Sequence, residues 1–234
     1  INQTQSSYFL NYDNQFRYYE TEYSENIEFG ISYFSNNLEY TITHFYLYRT
    51  NPQLRLFYQF DLSNPNSFDY ATINSNYGYN YGIEIDFKAN INNIFSMYGG
   101  LSTLKTYISK FIFEEKNYGG RENAHSPKFT MNAGFKLDFS KYINQLSLNF
   151  NSSYKSSFYF DDQNNHKSKP YTISNCSINY SYKNIELSIW GKNIFNKRYP
   201  VRGYTFALDP TYEINDWKSF GDLSSYGLTL KYNF

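Results

Sequence analysis

The chain holds few of the residue types that perform covalent or metal chemistry. Its 234 residues contain three histidines, His44, His125 and His166, and one cysteine, Cys176. Hydrolysis of a glycan or peptide would need paired acids, a Ser/His set or a metal cluster. The histidines lack a local metal-ligand spacing, no nucleophile-elbow motif is present, and Cys176 lies in a strand-like apolar pattern. We therefore expect no catalytic residue, no metal site and no cofactor, and the sequence does not predict an enzyme.

A second group of residues has chemistry suited to binding. These residues lie in long connections between predicted strands and are the candidate ligand-binding set: Arg121, Glu122, His125, Tyr159, Asp161 and His166. Arginine is the usual partner of anionic oxygens, but a surface ion pair of little energetic value is the preferred interpretation of Arg121 and Glu122. Tyr159 lies in an aromatic run where a strand ends, which suits either a flat ligand or an ordinary membrane-interface girdle. The two histidines of the set either touch a ligand or are solvated.

The elements that would position these residues are β-strands. Six segments alternate strictly between apolar and polar residues, which predicts strands with one apolar face: residues 27–33, 77–88, 129–139, 146–155, 175–182 and 225–234. The runs 38–56 and 94–113 are strand-like with ambiguous register, and another strand starts at Ile185. The last segment ends on Phe234 itself, which favours a strand that closes a barrel and faces lipid.

Turn lengths and strand faces together predict a membrane barrel. Short connections are expected at 35–37, 90–93, 140–144 and 183–184, and long ones near 58–68, 114–126, 161–169 and 207–216. Alternating short and long connections are typical of an up-and-down barrel in the outer membrane. We predict an all-β, antiparallel, transmembrane barrel segment of about nine or ten strands, the tenth a partial strand near residues 7–10. Five charged residues should face its lumen: Glu84, Asp86, Lys136, Asp138 and Glu186.

Composition excludes some classes of protein and leaves the barrel open. The mean hydropathy is −0.67 and no apolar run approaches the length of a membrane helix. Aromatic residues make up 22% of the chain, which fits interface girdles, although an AT-rich genome also raises the Tyr and Phe content. Net charge is zero and no basic stripe is present, so we expect no nucleic-acid partner. A single cysteine excludes a disulfide framework.

Four motifs in order resemble the barrel of TonB-dependent outer-membrane receptors. Residues 191–199 (GKNIFNKRY) are similar to that family's penultimate-strand pattern Gly-x-Asn-Leu-Phe-Asp-Lys-x-Tyr, which assigns Asn193, Phe195, Lys197 and Tyr199 to the family motif. Residues 25–30 resemble its Glu-x-Gly strand, residues 81–85 its Gly-Leu-Glu strand, and residues 120–127 its Pro-ended loop. Each motif is weak alone, and the four in order are fairly specific.

The resemblance implies an outer-membrane receptor that works with several partners. Family barrels have about 22 strands and a plugged lumen, so residues 1–234 would be the carboxy-terminal part, with the plug domain and signal peptide outside this chain. It implies TonB-dependent uptake of a scarce nutrient, foremost a ferric siderophore, with haem or cobalamin as other ligands. The implied partners are outer-membrane lipid, the protein's own plug, the TonB energy-transducing complex and the barrel assembly machinery. The protein would be a monomer in the outer membrane of a Gram-negative bacterium.

The last strand has a second implied role. In outer-membrane proteins the final strand is the signal that the assembly machinery reads, through strand addition at an open edge. We expect Gly227, Leu230, Tyr232 and Phe234 to carry that signal.

Two other classes of protein remain as alternatives. One is a small, self-contained outer-membrane barrel of about ten strands that acts as an enzyme or an adhesin. The other is a soluble β-sandwich, which strand length, turn alternation and the terminal Phe234 disfavour.

Overall fold

The computed structural model describes residues 19–59, 61, 63–64, 67–143, 145–206 and 213–234. The predicted partial strand at 7–10 and residues 207–212 of the last predicted connection lie outside this range. The described strands are β1 (Tyr23–Phe34), β2 (Leu38–Thr50), β3 (Gln53–Gln59), β4 (Phe68–Asn74), β5 (Tyr77–Asn90), β6 (Phe95–Ile108), β7 (Phe111–Phe113), β8 (Lys116–Tyr118), β9 (Phe129–Asp138), β10 (Ser147–Lys155), β11 (Tyr171–Tyr182), β12 (Ile185–Lys192), β13 (Pro200–Phe206), β14 (Asn215–Phe220) and β15 (Ser225–Tyr232). Among the described residues no helix has the length and apolar character needed to cross a membrane.

Nine of these strands form one antiparallel sheet. Its order is β1-β2-β5-β6-β9-β10-β11-β12-β15, so each sheet strand pairs with the next sheet strand along the chain. This is an up-and-down meander, and it confirms the predicted all-β antiparallel fold. Over the described range, β1 and β15 form the two edges and do not pair with each other. Over that range the sheet is open, whereas the small self-contained barrel of the first alternative would be closed.

The connections between sheet strands alternate in length as predicted. The short turns span 35–37, 91–94, 139–146 and 183–184, and the four long connections span 51–76, 109–128, 156–170 and 193–224. Three of the long connections contain a hairpin of their own: β3–β4, β7–β8 and β13–β14. The predicted positions of the long connections fall inside these spans, but the spans are wider than predicted.

Two predicted strand runs are wrong as single strands. The run 38–56 divides into β2 and β3, because the chain leaves the sheet at Asn51, which has a φ of 52°, and Pro52 follows. Proline removes a ladder donor and resists the interior of a sheet. The run 94–113 likewise divides into β6 and β7 after Ile108.

The two faces of the sheet differ in polarity along its whole width. Leu148, Ile178, Ile189 and Leu228 lie opposite one another across β10, β11, β12 and β15 and form a row on the apolar face. The next row along the same strands consists of Ser147, Asn179, Ser188 and Thr229 and lies on the polar face. The five charged residues predicted for the lumen share this polar face, because their cross-strand partners are Thr43, Thr41, Asn149, Ser147 and Lys231.

The apolar face of the sheet has no cover in the described structure. Ile27, Phe29 and Leu230 expose 73%, 68% and 66% of their surface. The buried apolar residues are Leu54, Leu56, Tyr58, Ala71, Ile108, Phe113, Phe158 and Phe160, and of these only Ile108 belongs to the nine-stranded sheet. An uncovered apolar sheet face of this size contradicts a soluble sandwich, whose apolar faces pack on one another.

Glycines on the polar face make room for large aromatic rings. A Cβ at Gly134 would lie 2.5 Å from Cζ of Tyr98, and a Cβ at Gly227 would lie 2.3 Å from the Trp190 ring. The Trp190 indole lies along β15 and donates from Nε1 to the hydroxyl of Thr229 at 3.1 Å. Gly227 is therefore required by packing on the polar face, whatever its role in assembly.

Candidate functional site

The hydrophobic core of the described protein lies in its first two long connections and at the end of β6. Six buried residues form this core, from β3, β4, β6 and β7: Leu54, Leu56, Tyr58, Ala71, Ile108 and Phe113. Beside it the hydroxyls of Ser75 and Ser109 are buried and 2.6 Å apart. The first two long connections therefore form a packed structure at one end of the sheet, and are not merely solvated loops.

Arg121 joins the second long connection to the third. Its guanidinium donates to the carbonyl oxygen of Asp161 at 2.6 Å and to the side-chain oxygen of Asn165 at 3.0 Å. The guanidinium carbon also lies 4.1 Å from the centroid of the Tyr159 ring. The structure thus brings three of the predicted residues into direct contact. Two of the guanidinium nitrogens of Arg121 are bonded within the protein, and its buried Nε has no hydrogen-bond partner among the described residues.

The two histidines of the candidate set flank an aromatic pair. The backbone N–H of His125 donates to the carbonyl oxygen of Tyr159 at 2.8 Å, and its ring lies 5.4 Å from the Phe158 ring. The His166 side chain is 5% exposed, packs edge-on against Phe160 at 4.8 Å, and places Nδ1 3.5 Å from a carboxylate oxygen of Asp216. Within the described ranges, no group of three His, Cys, Asp or Glu residues could hold a metal ion.

Among the described residues Arg121 takes part in no ion pair, and Glu122 pairs with Lys128 instead. Its carboxylate lies 2.5 Å from the ammonium of Lys128. Hydrogen bonding to Lys128 holds the pKa of Glu122 below its ordinary value, and the same contact raises the pKa of Lys128. Both charges are thereby compensated within the second long connection.

A cavity of about 430 Å³ opens between the first, third and fourth long connections. Its walls come from β3, β4, residues 160–163 and β13: Arg55, Phe57, Tyr70, Phe160, Asp161, Gln163, Gly203, Tyr204, Thr205 and Phe206. The Gln163 side-chain amide accepts from the backbone N–H of Phe57 and donates to its carbonyl oxygen, both at 2.8 Å. These two hydrogen bonds to the edge of β3 fix the third connection against the first.

Close packing shapes the floor of this cavity. A Cβ at Gly203 would lie 2.2 Å from the Phe160 ring, so only glycine lets that ring seat against β13. On the opposite wall the guanidinium carbon of Arg55 lies 4.0 Å from the centroid of the Tyr70 ring. The cavity is therefore lined mainly by aromatic side chains, and Arg55 is the one cationic side chain in its lining.

The predicted ligand-binding set includes one residue of the cavity lining and lacks the others. Asp161 was in the predicted set, whereas Arg55, Phe57, Tyr70, Gln163, Tyr204 and Phe206 were not. Arg55 stood within the run 38–56, whose register was ambiguous. The aromatic residues gave no local signal, because Tyr and Phe are abundant along the whole chain.

The predicted family motif forms the turn that starts the fourth long connection. The Asn193 side chain donates to the carbonyl oxygens of Lys197 and Asp222, at 2.9 and 3.0 Å, and accepts from the Lys197 N–H at 2.8 Å. Asn193 is 3% exposed with a φ of 46°, a conformation that asparagine tolerates well. The Tyr199 ring packs against the Tyr171 ring in a tilted arrangement, with centroids 4.9 Å apart, while Phe195 is 74% exposed.

The four predicted signal residues lie on or next to the edge strand β15. Leu230 and Tyr232 point to the uncovered apolar face, and Gly227 receives Trp190 on the polar face. Phe234 follows the end of β15, is fully exposed, and meets the Tyr232 ring edge-on at 5.1 Å.

Comparison with known proteins shows which proteins share this architecture. Residues 2–194 match the family described as TonB dependent receptor-like, beta-barrel. The ferric yersiniabactin uptake receptor FyuA from Yersinia pestis superposes with a TM-score of 0.71 at 16% identity, over 91% of this chain and 30% of FyuA. The copper transporter OprC gives a TM-score of 0.68 at 13% identity, over 91% of this chain and 32% of OprC.

A third structure extends over the whole chain. The ferric-catecholate import receptor Fiu from E. coli K12 has a TM-score of 0.64 at 16% identity, over 100% of this chain and 30% of Fiu. The chain therefore spans about a third of the length of the solved structures that it matches, and at these identities the likeness is one of fold. The family match covers most of the chain, and the chain belongs to the TonB-dependent receptors, the transport receptors of the Gram-negative outer membrane, as a segment of their β-barrel.

Proposed function

We propose that this protein is an outer-membrane receptor that imports a scarce nutrient by TonB-dependent transport, and that the nutrient is an iron complex such as a ferric siderophore. The single observation that carries the proposal is that all four long connections pack together at one end of the sheet. In a receptor of this family that assembly would face the outside of the cell, where a ligand is first met. No covalent chemistry is required of it.

The strand faces support the transport half of this proposal. The uncovered apolar face suits contact with hydrocarbon, which replaces the second protein layer that a soluble sheet would need. The polar face carries Asn, Ser, Thr and charged residues, which suits a hydrated lumen. A hydrated contact between barrel and plug lets the plug rearrange during transport more readily than an apolar contact would.

The proposal also covers the parts of the receptor beyond this segment. We expect residues 1–234 to be the carboxy-terminal part of the barrel, with a plug domain in the same protein and the TonB complex as energy source. The edge strand β15, with Gly227, Leu230, Tyr232 and Phe234, would be read by the barrel assembly machinery. Haem and cobalamin are the other ligands that the resemblance to the family allows.

Iron uptake by whole cells tests the proposal. In the source bacterium, deletion of the full-length gene should abolish accumulation of a ⁵⁵Fe-labelled ferric catecholate, ferric hydroxamate or haem, and deletion of TonB should cause the same loss. Uptake of a porin-permeable sugar serves as the control and should not change. Unchanged accumulation of all three iron complexes after gene deletion would contradict iron as the cargo. Accumulation that depends on the receptor but survives loss of TonB would contradict the transport mechanism.

A further inference from the structure

We infer that Gly227 is a positioning residue for transport, because it lets the Trp190 indole lie flat against the polar face and so keeps the lumen beside β12 and β15 clear. The inference rests on the proposed function and deepens it. It names a place in the barrel wall on which rearrangement of the plug, and therefore passage of the cargo, depends.

The indole of Trp190 lies along the neighbouring strand instead of standing out from the sheet. Trp190 and Gly227 are cross-strand partners on the polar face. The indole Nε1 donates to the hydroxyl of Thr229 at 3.1 Å. Thr229 is the next residue of β15 on the same face, because side chains alternate between the two faces of a strand. The ring therefore extends over the wall from Gly227 to Thr229.

Glycine at position 227 leaves the room that this ring needs. A Cβ there would lie 2.3 Å from Cζ2 and 2.7 Å from Cε2 of Trp190. Non-bonded carbon atoms pack at about 3.5–4.0 Å, so a methyl group at 227 must displace the ring. The three atoms nearest to that Cβ all belong to the indole and none to the backbone. The ring is therefore the part that would move, and the sheet would not.

A displaced indole has no second glycine to lie on. On the other side of Trp190 its cross-strand partner is Ser177, and the polar-face residues next to Ser177 on β11 are Asn175 and Asn179. Above the ring, the ammonium of Lys192 lies 5.4 Å from its centroid. A ring that leaves Gly227 loses its bond to Thr229 and rises into the lumen, where the plug must rearrange during transport.

The adjacent cross-strand pair repeats this arrangement on the opposite face. Gly191 and Tyr226 are partners next to Trp190 and Gly227, and a Cβ at Gly191 would lie 2.9 Å from Cδ1 of Tyr226. This second ring lies on the apolar face, where Tyr226 is 66% exposed. Its displacement would leave the lumen as it is. Gly191→Ala is therefore the matched control for Gly227→Ala.

Uptake kinetics in the source bacterium test the inference. Full-length variants replace the receptor, and initial rates are measured with ⁵⁵Fe-labelled ferric catecholate, ferric hydroxamate and haem. Division by the amount of receptor in the outer membrane removes any effect of Gly227 on assembly. Gly227→Ala should lower the maximal rate per receptor about tenfold or more and change KM less than about twofold, since the ring obstructs movement and not capture. Gly191→Ala should change both by less than about twofold.

Removal of the ring provides a rescue. Gly227→Ala combined with Trp190→Ala should recover at least about half of the parent's maximal rate, because the obstruction is gone. A purely structural role of Gly227 would reduce the amount of receptor and not the rate per receptor, and that result would overturn the inference. So would an equal loss of rate in Gly191→Ala, or a double variant as slow as Gly227→Ala.

A measurement without cargo follows the ring itself. In the purified full-length receptor labelled with 5-fluorotryptophan, the Trp190 ¹⁹F signal is the one that Trp190→Phe removes. Gly227→Ala should increase the H₂O/D₂O isotope shift of this signal, because the ring rises into a hydrated lumen, and Gly191→Ala should not. An unchanged signal in Gly227→Ala would overturn the inference whatever the cargo is.

The two measurements also separate this inference from the proposed function. A displaced indole in Gly227→Ala, together with no uptake of the three iron complexes by the parent receptor, would refute the proposed function alone. Uptake by the parent receptor with an unchanged rate per receptor in Gly227→Ala would refute this inference alone.

Discussion

Single side chains in the long connections act mainly by binding backbone groups. Asn193 satisfies the carbonyl oxygens of Lys197 and Asp222 and the N–H of Lys197. Gln163 does the same for the edge of β3. Buried polar groups of this kind are costly to remove, since each loss leaves a desolvated partner behind. The ordered shape of the long connections therefore depends on a few amides.

Replacement of Asn193 by alanine should loosen the fourth long connection. Three hydrogen bonds are lost and alanine resists a φ of 46°, so we expect the free energy of unfolding to fall by about 2–4 kcal/mol. Denaturant titration of the full-length receptor measures this loss, and faster limited proteolysis within residues 193–224 should accompany it.

Phe195→Ala is the control for this prediction. Phe195 belongs to the same motif but is 74% exposed. Its loss should change stability by less than about 1 kcal/mol. Equal effects at the two positions would mean that the motif acts through something other than the Asn193 hydrogen bonds.

Each sheet strand presents two chemically different faces, and β10 shows this most clearly. Leu148 lies between Leu137 and Ile178 on the apolar face, whereas its neighbour Asn149 lies between Lys136 and Ser177 on the polar face. A period of two was enough to predict this strand and its faces from the sequence. The same substitution should therefore destabilise the protein to very different degrees at two consecutive residues of one strand.

An arginine on the apolar face of β10 should be costly. Leu148→Arg places a charge in hydrocarbon and should destabilise the barrel by roughly 2–4 kcal/mol. Asn149→Arg places the same side chain on the polar face and should cost much less. Phe135→Arg and Lys136→Arg form a second such pair on β9. Refolding titrations in lipid bilayers measure all four. Equal costs on the two faces would mean that the apolar face does not meet lipid.

The carboxy-terminal strand leads to a prediction about assembly rather than stability. Phe234 is fully exposed and lies beyond the last residue of β15, so its deletion should cost at most about 1–3 kcal/mol. If the assembly machinery reads this strand, the amount of receptor in the outer membrane should fall far more than ligand affinity per assembled molecule. Quantitative blotting of outer-membrane fractions and ligand-binding isotherms measure the two quantities.

Substitutions at the same position provide the control. Phe234→Tyr and Phe234→Trp should restore the level of receptor, and Phe234→Asp should not. A normal level after deletion would show that Phe234 is only an interface aromatic residue.

The boundary between β2 and β3 could not be predicted from the alternation of apolar and polar residues. Tyr48, Leu54, Leu56 and Tyr58 continue one alternation across Asn51 and Pro52, so the period alone predicts an unbroken strand. In the structure Tyr48 belongs to the sheet, whereas Leu54, Leu56 and Tyr58 form part of the buried core of the long connections. Pro52 was the only local sign of the break.

The cavity could not be predicted from the sequence for a different reason. Arg55, Phe160 and Tyr204 are more than 40 residues apart from one another along the chain and meet only through tertiary packing. No local pattern links them. The contact of Arg121 with Tyr159 and Asp161 was in part predictable, because all three lie in long connections that an up-and-down barrel brings to the same end.

At the scale of the whole molecule, the described segment is an open sheet with a packed assembly at one end. Its apolar face is uncovered, and its edges β1 and β15 are unpaired over the described range. Unpaired edges and an apolar face of this extent promote aggregation in water. The unpaired backbone groups of the edges are also not tolerated in hydrocarbon. The segment needs both lipid and the remaining strands of a barrel.

Expression of residues 1–234 alone should therefore yield no transporter. We expect the segment to aggregate or to close in a non-native way, because the edges β1 and β15 have no strand partner over the described range. A receptor-deficient strain that carries only this segment should show no ligand-dependent growth under iron limitation. Restored growth would contradict the requirement for the remaining strands.

Nitroxide labelling along β10 tests the assignment of the apolar face of the sheet to lipid. Single cysteines at residues 147–155, in a full-length receptor with Cys176→Ser, would be labelled in lipid vesicles and their collision rates with oxygen measured. We predict high rates at 148, 150, 152 and 154 and low rates between them. Position 152 is the sharpest case, since Ser152 is polar but lies on the apolar face with its hydroxyl 2.9 Å from that of Ser174. Rates without a period of two, or with the opposite phase, would contradict the claim.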